Sequence, residues 1–329
     1  MNKLTKIGVS ALCGPLASVP YANAGTLSVA GGATATWANN ETETTGNPIG
    51  LSSGMTFTGT GELDNGTTFT LSLTNTDKAA YSAGNISIVT PGMGTFVIDQ
   101  GAGGGGIDRY DDKMPTAWEE TTGTGLSTGL RTVSGVGGVT DLEWNVGMGL
   151  PDGMNVYASF APRPDGSANA KKGTAGVTSK TNGNGWDVVI THSGLLDGLN
   201  VFAGMSTIDQ NATLGDKDSE VYGATYAIGG ATVGYQHSKE DNVGASGTYY
   251  ENDAYGISYS INDDLSVSYG FHESATNAAS TGTLEATSIQ VSYSVGGASI
   301  KFAENSVDNA NYVSGTNREG RTIALTLAF

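Results

Sequence analysis

Apolar side chains recur at every second residue along most of this chain, and that period restricts the fold more than any other feature. Leu27, Val29, Ala33, Ala35 and Trp37 alternate with small or polar residues, as do Met55 with Phe57 and Phe69 with Leu71 and Leu73. Later stretches are cleaner: Tyr255, Ile257, Tyr259 and Ile261 alternate with Gly256, Ser258 and Ser260, and Ile289, Val291, Tyr293 and Val295 with Gln290, Ser292 and Ser294. Successive strand residues point to opposite faces, so strict alternation gives each strand one apolar and one polar face. No stretch carries a capped 3.6-residue stripe. The expectation is an all-β chain.

The connections between these stretches are of two kinds, in turn. Short ones contain Asp64-Asn65-Gly66, Pro91-Gly92, Pro151-Asp152-Gly153, Asp197-Gly198, Gly229-Gly230, Asn262-Asp263-Asp264 and Gly296-Gly297, which read as hairpin turns. Between them lie longer polar segments near 38–48, 74–84, 101–129, 161–184, 206–219, 238–253, 272–284 and 304–319. Seven turns and eight loops join sixteen strands. An even number lets the first and last strands pair antiparallel.

The apolar faces need a solvent or a partner. A two-sheet sandwich would bury them but offers no reason for loops to be long at one end only. A closed transmembrane barrel predicts that asymmetry, together with alternating segments of about ten residues, an even strand count and a polar interior. Closure also satisfies every backbone amide within lipid. Trp37, Trp144, Phe160, Trp186, Phe271, Phe302 and Phe329 fall near strand ends, where interfacial girdles sit. Sixteen strands enclose an aqueous channel rather than a filled core. The expected architecture is thus a 16-stranded antiparallel transmembrane β-barrel with short periplasmic turns and long extracellular loops.

Composition excludes other classes. Acids number 32 against 15 bases, so the basic footprint of a nucleic-acid binder is missing. The single cysteine, Cys13, allows neither a disulfide framework nor a thiolate metal cluster. Lys3 and Lys6, the apolar run Ile7–Val19 and Ala22-Asn23-Ala24 have the form of a secretory signal peptide, so residues 1–24 are expected to be removed before Gly25. Residues 25–329 then form one barrel domain.

The last segment, Arg321-Thr322-Ile323-Ala324-Leu325-Thr326-Leu327-Ala328-Phe329, alternates and ends in phenylalanine. It looks like the signal read by outer-membrane assembly machinery, with Phe329 as its key residue. With the leader and the strand ladder, the chain resembles the general bacterial porins, especially those of alphaproteobacteria. That resemblance implies a channel and not an enzyme, in the outer membrane of a Gram-negative bacterium, surrounded by lipid and lipopolysaccharide. It implies a homotrimer, passive diffusion of small hydrophilic solutes and ions, and a third loop folded into the lumen as a constriction. Ala33 and Ala35 point weakly to the trimer contact.

The third long segment opens with Gly103-Gly104-Gly105-Gly106 and continues Ile107-Asp108-Arg109-Tyr110-Asp111-Asp112-Lys113, then Met114-Pro115-Thr116-Ala117-Trp118-Glu119-Glu120. The glycines permit a sharp inward fold. Carried over by position, Asp108, Asp111, Asp112, Glu119 and Glu120 are candidate constriction acids, with Arg109 and Lys113 among them and Arg131 opening the next strand. In the family such a loop faces a row of bases, and the field between them orders water and filters solutes. Here the Pro-Glu-Phe-Gly motif of enteric members is replaced by Pro115-Thr116-Ala117-Trp118, and Gly25 to Thr76 contains no Lys or Arg. Strand parity turns Asp99, Asp141, Glu143 and Asp187 toward the lumen, and Lys301 with them. These acids predict a negative lumen and a preference for cations.

Other signals are weaker. Gly125-Leu126-Ser127-Thr128-Gly129 and Gly50-Leu51-Ser52-Ser53-Gly54 match a hydrolase elbow without its strand–turn–helix context. The glycines at 101, 103 and 106 have dinucleotide-loop spacing with no βαβ unit around them. Residues 103–110 match one calcium-binding solenoid repeat where at least three are needed. His192, His237 and His272 fall on separate strands and read as girdle or lumen residues. Lys171 and Lys172 read as solvated. No cofactor is expected beyond Ca²⁺ loosely held at acidic outer loops, none of which has ordered ligand spacing. A barrel enzyme with rim chemistry and a plugged adhesin barrel stay open as alternatives.

Overall fold

The computed structural model describes residues 25–41, 47–77, 83–100, 105–122, 125–136, 140–162, 164, 183–210, 212–278 and 282–328. Residues 1–24, read above as a signal peptide, the segment 101–104, Lys171, Lys172 and Phe329 lie outside them.

Among the described residues there are sixteen strands: β1 (Leu27–Asn40), β2 (Ile49–Glu62), β3 (Thr68–Thr76), β4 (Ala83–Thr90), β5 (Gly94–Gln100), β6 (Thr140–Val146), β7 (Met154–Ala161) and β8 (Gly185–His192), then β9 (Leu199–Ile208), β10 (Lys217–Ile228), β11 (Ala231–Asp241), β12 (Tyr249–Ser260), β13 (Leu265–Thr276), β14 (Leu284–Val295), β15 (Ala298–Asp308) and β16 (Arg318–Ala328). Each pairs antiparallel with its sequence neighbours, and β1 pairs with β16, from Gly32 opposite Ala328 to Asn40 opposite Gly320, closing the barrel. Helical structure among the described residues is confined to two short 3₁₀ turns, Gly106–Tyr110 and Ala310–Tyr312.

Closure follows from the alternation. Leu51, Ile190, Ile289, Ile300 and Leu325 are exposed on the outer face of their strands, whereas Gln290, Ala303 and Ala324 on the opposite face are buried. The outer surface is thus a band of branched and aromatic side chains, and Tyr235, Tyr255 and Phe271 meet across three adjacent strands at centroid separations of 5.1 and 6.2 Å. Trp144 lies over Phe96 and donates its indole N–H to the Met93 carbonyl at 2.9 Å.

The seven turns and eight loops occupy opposite ends of the barrel, but most of the loops are shorter than the alternation implies. The segments expected near 206–219, 238–253, 272–284 and 304–319 contract to 209–216, 242–248, 277–283 and 309–317. Ladder pairing continues past the last apolar residue, because Ser238, Glu240, His272 and Ser274 turn inward while Lys239, Asp241 and Glu273 project outward. Polar residues on both faces erase the alternation while the backbone bonds persist. The third loop is longer than expected. It runs from β5 to Thr140, so Arg131 belongs to the loop and does not open a strand. Within this stretch Val133 packs into an apolar cluster on the inner wall and the Ser134 N–H donates to the Glu240 side chain, with no backbone ladder to a strand beside it.

Candidate functional site

The third loop lies inside the barrel, and its described part, 105–122 and 125–136, is pinned to the inner wall at every stage. The 3₁₀ turn packs against β7, β8, β9 and β10. Ile107 is fully buried there with Val133, Val189, Phe202 and Val221, and Tyr110 and Tyr157 flank the cluster. Val189, Phe202 and Val221 are apolar residues on an inner face whose neighbouring positions include Asp187, Ser206 and Ser219. Strand pattern alone does not explain them; the loop does.

Asp187 on β8 is the clasp. Its carboxylate accepts the backbone N–H of Ile107 at 3.0 Å, where the loop enters, and of Val136 at 3.1 Å, where it returns. The side chain has no solvent exposure. Gly106 and Gly135 pass this carboxylate with φ of +54° and +49°, and a Cβ at either would strike Asp187. Beside the clasp, Glu143 on β6 accepts the Gly106 N–H at 2.8 Å, the Ser159 hydroxyl at 3.1 Å and the Arg109 guanidinium at 2.5 Å. Arg109 also lies over the Tyr157 ring, 4.2 Å from its centroid.

Two glutamines carry the middle of the loop. Gln236 on β11 accepts the Lys113 N–H at 3.0 Å and donates to the carbonyls of Tyr110 and Asp111 at 2.9 Å. Gln290 on β14 accepts the N–H groups of Trp118 and Glu119 at 3.0 Å and donates to the Glu119 carbonyl at 2.7 Å. Ser268 on β13 accepts the Ala117 N–H at 2.9 Å. Glycine makes room between these contacts. A Cβ on Gly234 would lie 2.5 Å from Pro115, one on Gly256 would lie 2.8 Å from Met114, and one on Gly270 would overlap Thr121. Gly234, Gly256 and Gly270 are neighbours across β11, β12 and β13, so the loop lies along a track without side chains.

The far end is seated by Leu126 among Leu284, Ala286, Val307, Ala310 and Tyr312, and the Arg318 guanidinium donates to the Ser127 carbonyl. The loop then turns back. The Arg131 N–H donates to the Tyr312 hydroxyl at 3.1 Å, and its guanidinium lies 5.1 Å from the Tyr250 ring centre. Ser134 donates its N–H to Glu240 at 3.1 Å, and Lys217 pairs with the same carboxylate at 3.0 Å.

The sequence candidates therefore separate into different environments. Lys113, Glu119 and Arg131 are exposed at the loop edge. Asp108 and Asp111 are partly buried, and the Asp111 N–H caps the 3₁₀ turn on the Asp108 carbonyl. Burial raises the Asp111 carboxyl above its ordinary range and lifts Asp112, which is turned into the loop, to about 6. Glu120 is lifted to about 7, first by burial and then by Asp111, Asp112 and Glu119 around it. Lys301 on β15 lies 6.0 Å from the Trp118 ring centre, beneath the loop.

Asp99, Asp141, Glu143 and Asp187 lie on the inner face, and all four are buried. Glu143 and Asp187 differ from the water-lining acids expected of them because the loop covers them, Glu143 with Gly106 and Arg109 and Asp187 with Ile107 and Val136, and Asp141 lies beside Gly105. Asp99 and Asp141 stand directly opposite in the β5–β6 register. The histidines take three positions: His192 accepts the Gly194 N–H beside a turn, His272 is buried on the inner face, and His237 on the outer face meets Asp253 at 3.1 Å and Glu251 at 3.7 Å. These carboxylate partners come from β12, so spacing along the chain does not reveal them. Among the described residues no group of three or more His, Cys, Asp or Glu side chains is arranged to hold a metal ion.

No protein-family model matches the chain, and no curated protein sequence matches it significantly. Solved structures do match in fold. OmpF of Salmonella typhi, in complex with daunomycin, superposes with a TM-score of 0.68 at 14% identity, covering 93% of this chain and 98% of that one. The anion-selective porin from Comamonas acidovorans gives 0.63 at 12% identity, covering 93% and 100%. A tryptophan-substituted variant of the Rh. blastica porin gives 0.62 at 18% identity, covering 92% and 100%. At such identities the likeness is one of architecture: the chain has the sixteen-stranded barrel fold of the bacterial porins.

Proposed function

We propose that this chain is an outer-membrane channel of the porin type, of the alphaproteobacterial kind, through which small hydrophilic solutes and ions diffuse passively. One observation carries the reading: a closed barrel with an apolar outer band and a polar interior holds a long loop against its inner wall through buried, specific bonds. A lipid-facing exterior explains the exposed Leu, Ile and Tyr side chains, which water would not favour as a continuous surface. The loop narrows the passage from one side, and its charge-assisted, backbone-directed anchors hold it there.

In this reading residues 1–24 direct export, Phe329 ends the strand that the assembly machinery recognises, and lipid and lipopolysaccharide surround a homotrimer. No catalysis and no resident cofactor belong to it, and any Ca²⁺ at acidic outer loops is loosely held. A weak cation preference is part of the proposal. Its support is the excess of 32 acids over 15 bases, since charge held behind low-dielectric walls still biases the lumen. The test is single-channel recording in planar bilayers with a salt gradient. Discrete conductance steps with a cation-directed reversal potential are expected. Absence of steps removes the channel reading, and an anion-directed potential removes the preference.

A further inference from the structure

The loop's wall contacts described above begin on β6 and end on β16, so the sector β1–β4 is what faces its free edge. The inner face of that sector is uncharged over most of its height. Thr34 shares its face with Thr326, whose hydroxyl it meets at 3.0 Å, and the face continues through Ser52, Thr56 and Thr58 on β2 to Thr70 and Ser72 on β3. Thr56 meets Thr74 at 3.0 Å across β2 and β3. Lys and Arg do not occur between Gly25 and Thr76, so no row of bases stands here. The opposite boundary, the loop edge, exposes both signs in Lys113, Glu119 and Arg131. Several of the acids are buried, Asp112 inside the loop and Asp141, Glu143 and Asp187 on the wall behind it, and Asp108, Asp111 and Glu120 are partly covered, with no base standing across from them on β1–β4.

A hydroxyl wall both donates and accepts hydrogen bonds, so it replaces hydration water without preferring a charge. A strong transverse field needs opposite charges facing each other across the gap. We infer that this passage carries no strong transverse field, so that neutral, hydroxyl-bearing solutes of the sugar class and zwitterions of equal size pass it alike, without distinction of dipole. The inference rests on the channel reading and adds its specificity, with Thr34, Ser52, Thr56, Thr58, Thr70 and Ser72 as the residues that set it.

The experiment uses the full barrel in liposomes, comparing swelling rates for a hexose and for a zwitterionic dipeptide of matched size. The two rates are expected to agree within about twofold, because no aligned field penalises dipole rotation. A Ser52→Arg, Thr56→Arg variant, checked for folding by its spectrum and heat-dependent mobility, installs the missing bases. It should change the dipeptide-to-hexose ratio by at least about threefold and move the reversal potential toward anions. A several-fold discrimination by the unmodified barrel overturns the inference, whether or not the variant folds. So does a folded variant with an unchanged ratio. Swelling with neither solute, and no conductance, defeats the channel reading instead.

Discussion

Asp187 ties both arms of the loop to β8, and its removal should release the loop while leaving the barrel closed. In Asp187→Ala the N–H groups of Ile107 and Val136 lose their acceptor at a fully buried position. Hydrogen bonds to a charged acceptor contribute about 1.5–3 kcal/mol each, so the loss is about 3–6 kcal/mol. The apolar cluster around Ile107 persists and keeps part of the seat. Even the lower figure raises the detached population about a hundredfold, at about 1.4 kcal/mol per decade. Hydrogen exchange of the Ile107 and Val136 amides should accelerate by that factor in detergent-solubilised protein, while the β12–β14 ladder keeps its protection. Single-channel current should become larger and noisier. Asp187→Asn retains one acceptor oxygen and should fall between the two. Unchanged exchange at Ile107 and Val136 in the alanine variant would refute the clasp.

Arg109→Ala leaves buried Glu143 with only the Gly106 N–H and the Ser159 hydroxyl; breaking a buried pair costs about 3 kcal/mol, to be seen as a lower denaturant midpoint, with Arg109→Lys in between. Gly256→Val places a side chain against Met114 and Pro115, an overpacking worth about 1–3 kcal/mol; the loop should shift into the lumen and conductance should fall, so a rise would contradict the glycine track. Asp112, near 6, and Glu120, near 7, are raised above their unfolded values of 3.8 and 4.5. The folded loop therefore holds more protons than the unfolded chain between about pH 4 and 7, and its seating weakens as pH rises through that window. Protection of the Met114 amide, which donates to Asp112, taken relative to the free-chain exchange rate at each pH, should be greater at pH 4 than at pH 8. The same two groups add negative charge as pH rises, so cation preference should grow between pH 5 and 8; a flat reversal-potential profile would count against it.

Phe202 shows where reading along the chain stops. It lies on the inner face of β9, where alternation calls for a polar residue, and its partner Tyr110 comes from the loop at a centroid separation of 4.8 Å. Gln236, Gln290 and the glycines at 234, 256 and 270 carry the middle of the loop, and none has a local signature. A faint one existed: small or amide-bearing residues fall at inward positions on consecutive strands, a regularity visible only once the register between strands is known.

Period-two alternation and the placement of turn residues are local quantities, and they determined the strand count, the antiparallel order and which face of each strand is apolar. Parity likewise turned Asp99, Asp141, Glu143 and Asp187 inward. Tertiary structure decided what lies on top of them. The loop covers Glu143 and Asp187 with bonds from Gly106, Arg109, Ile107 and Val136, is held further on by bonds between residues as far apart as Trp118 and Gln290, keeps Arg131 out of the strand ladder, and leaves the hydroxyl face of β1–β3 uncovered. Alternation specifies a side chain's direction, whereas exposure to water depends on chain that returns from elsewhere in the sequence to cover it.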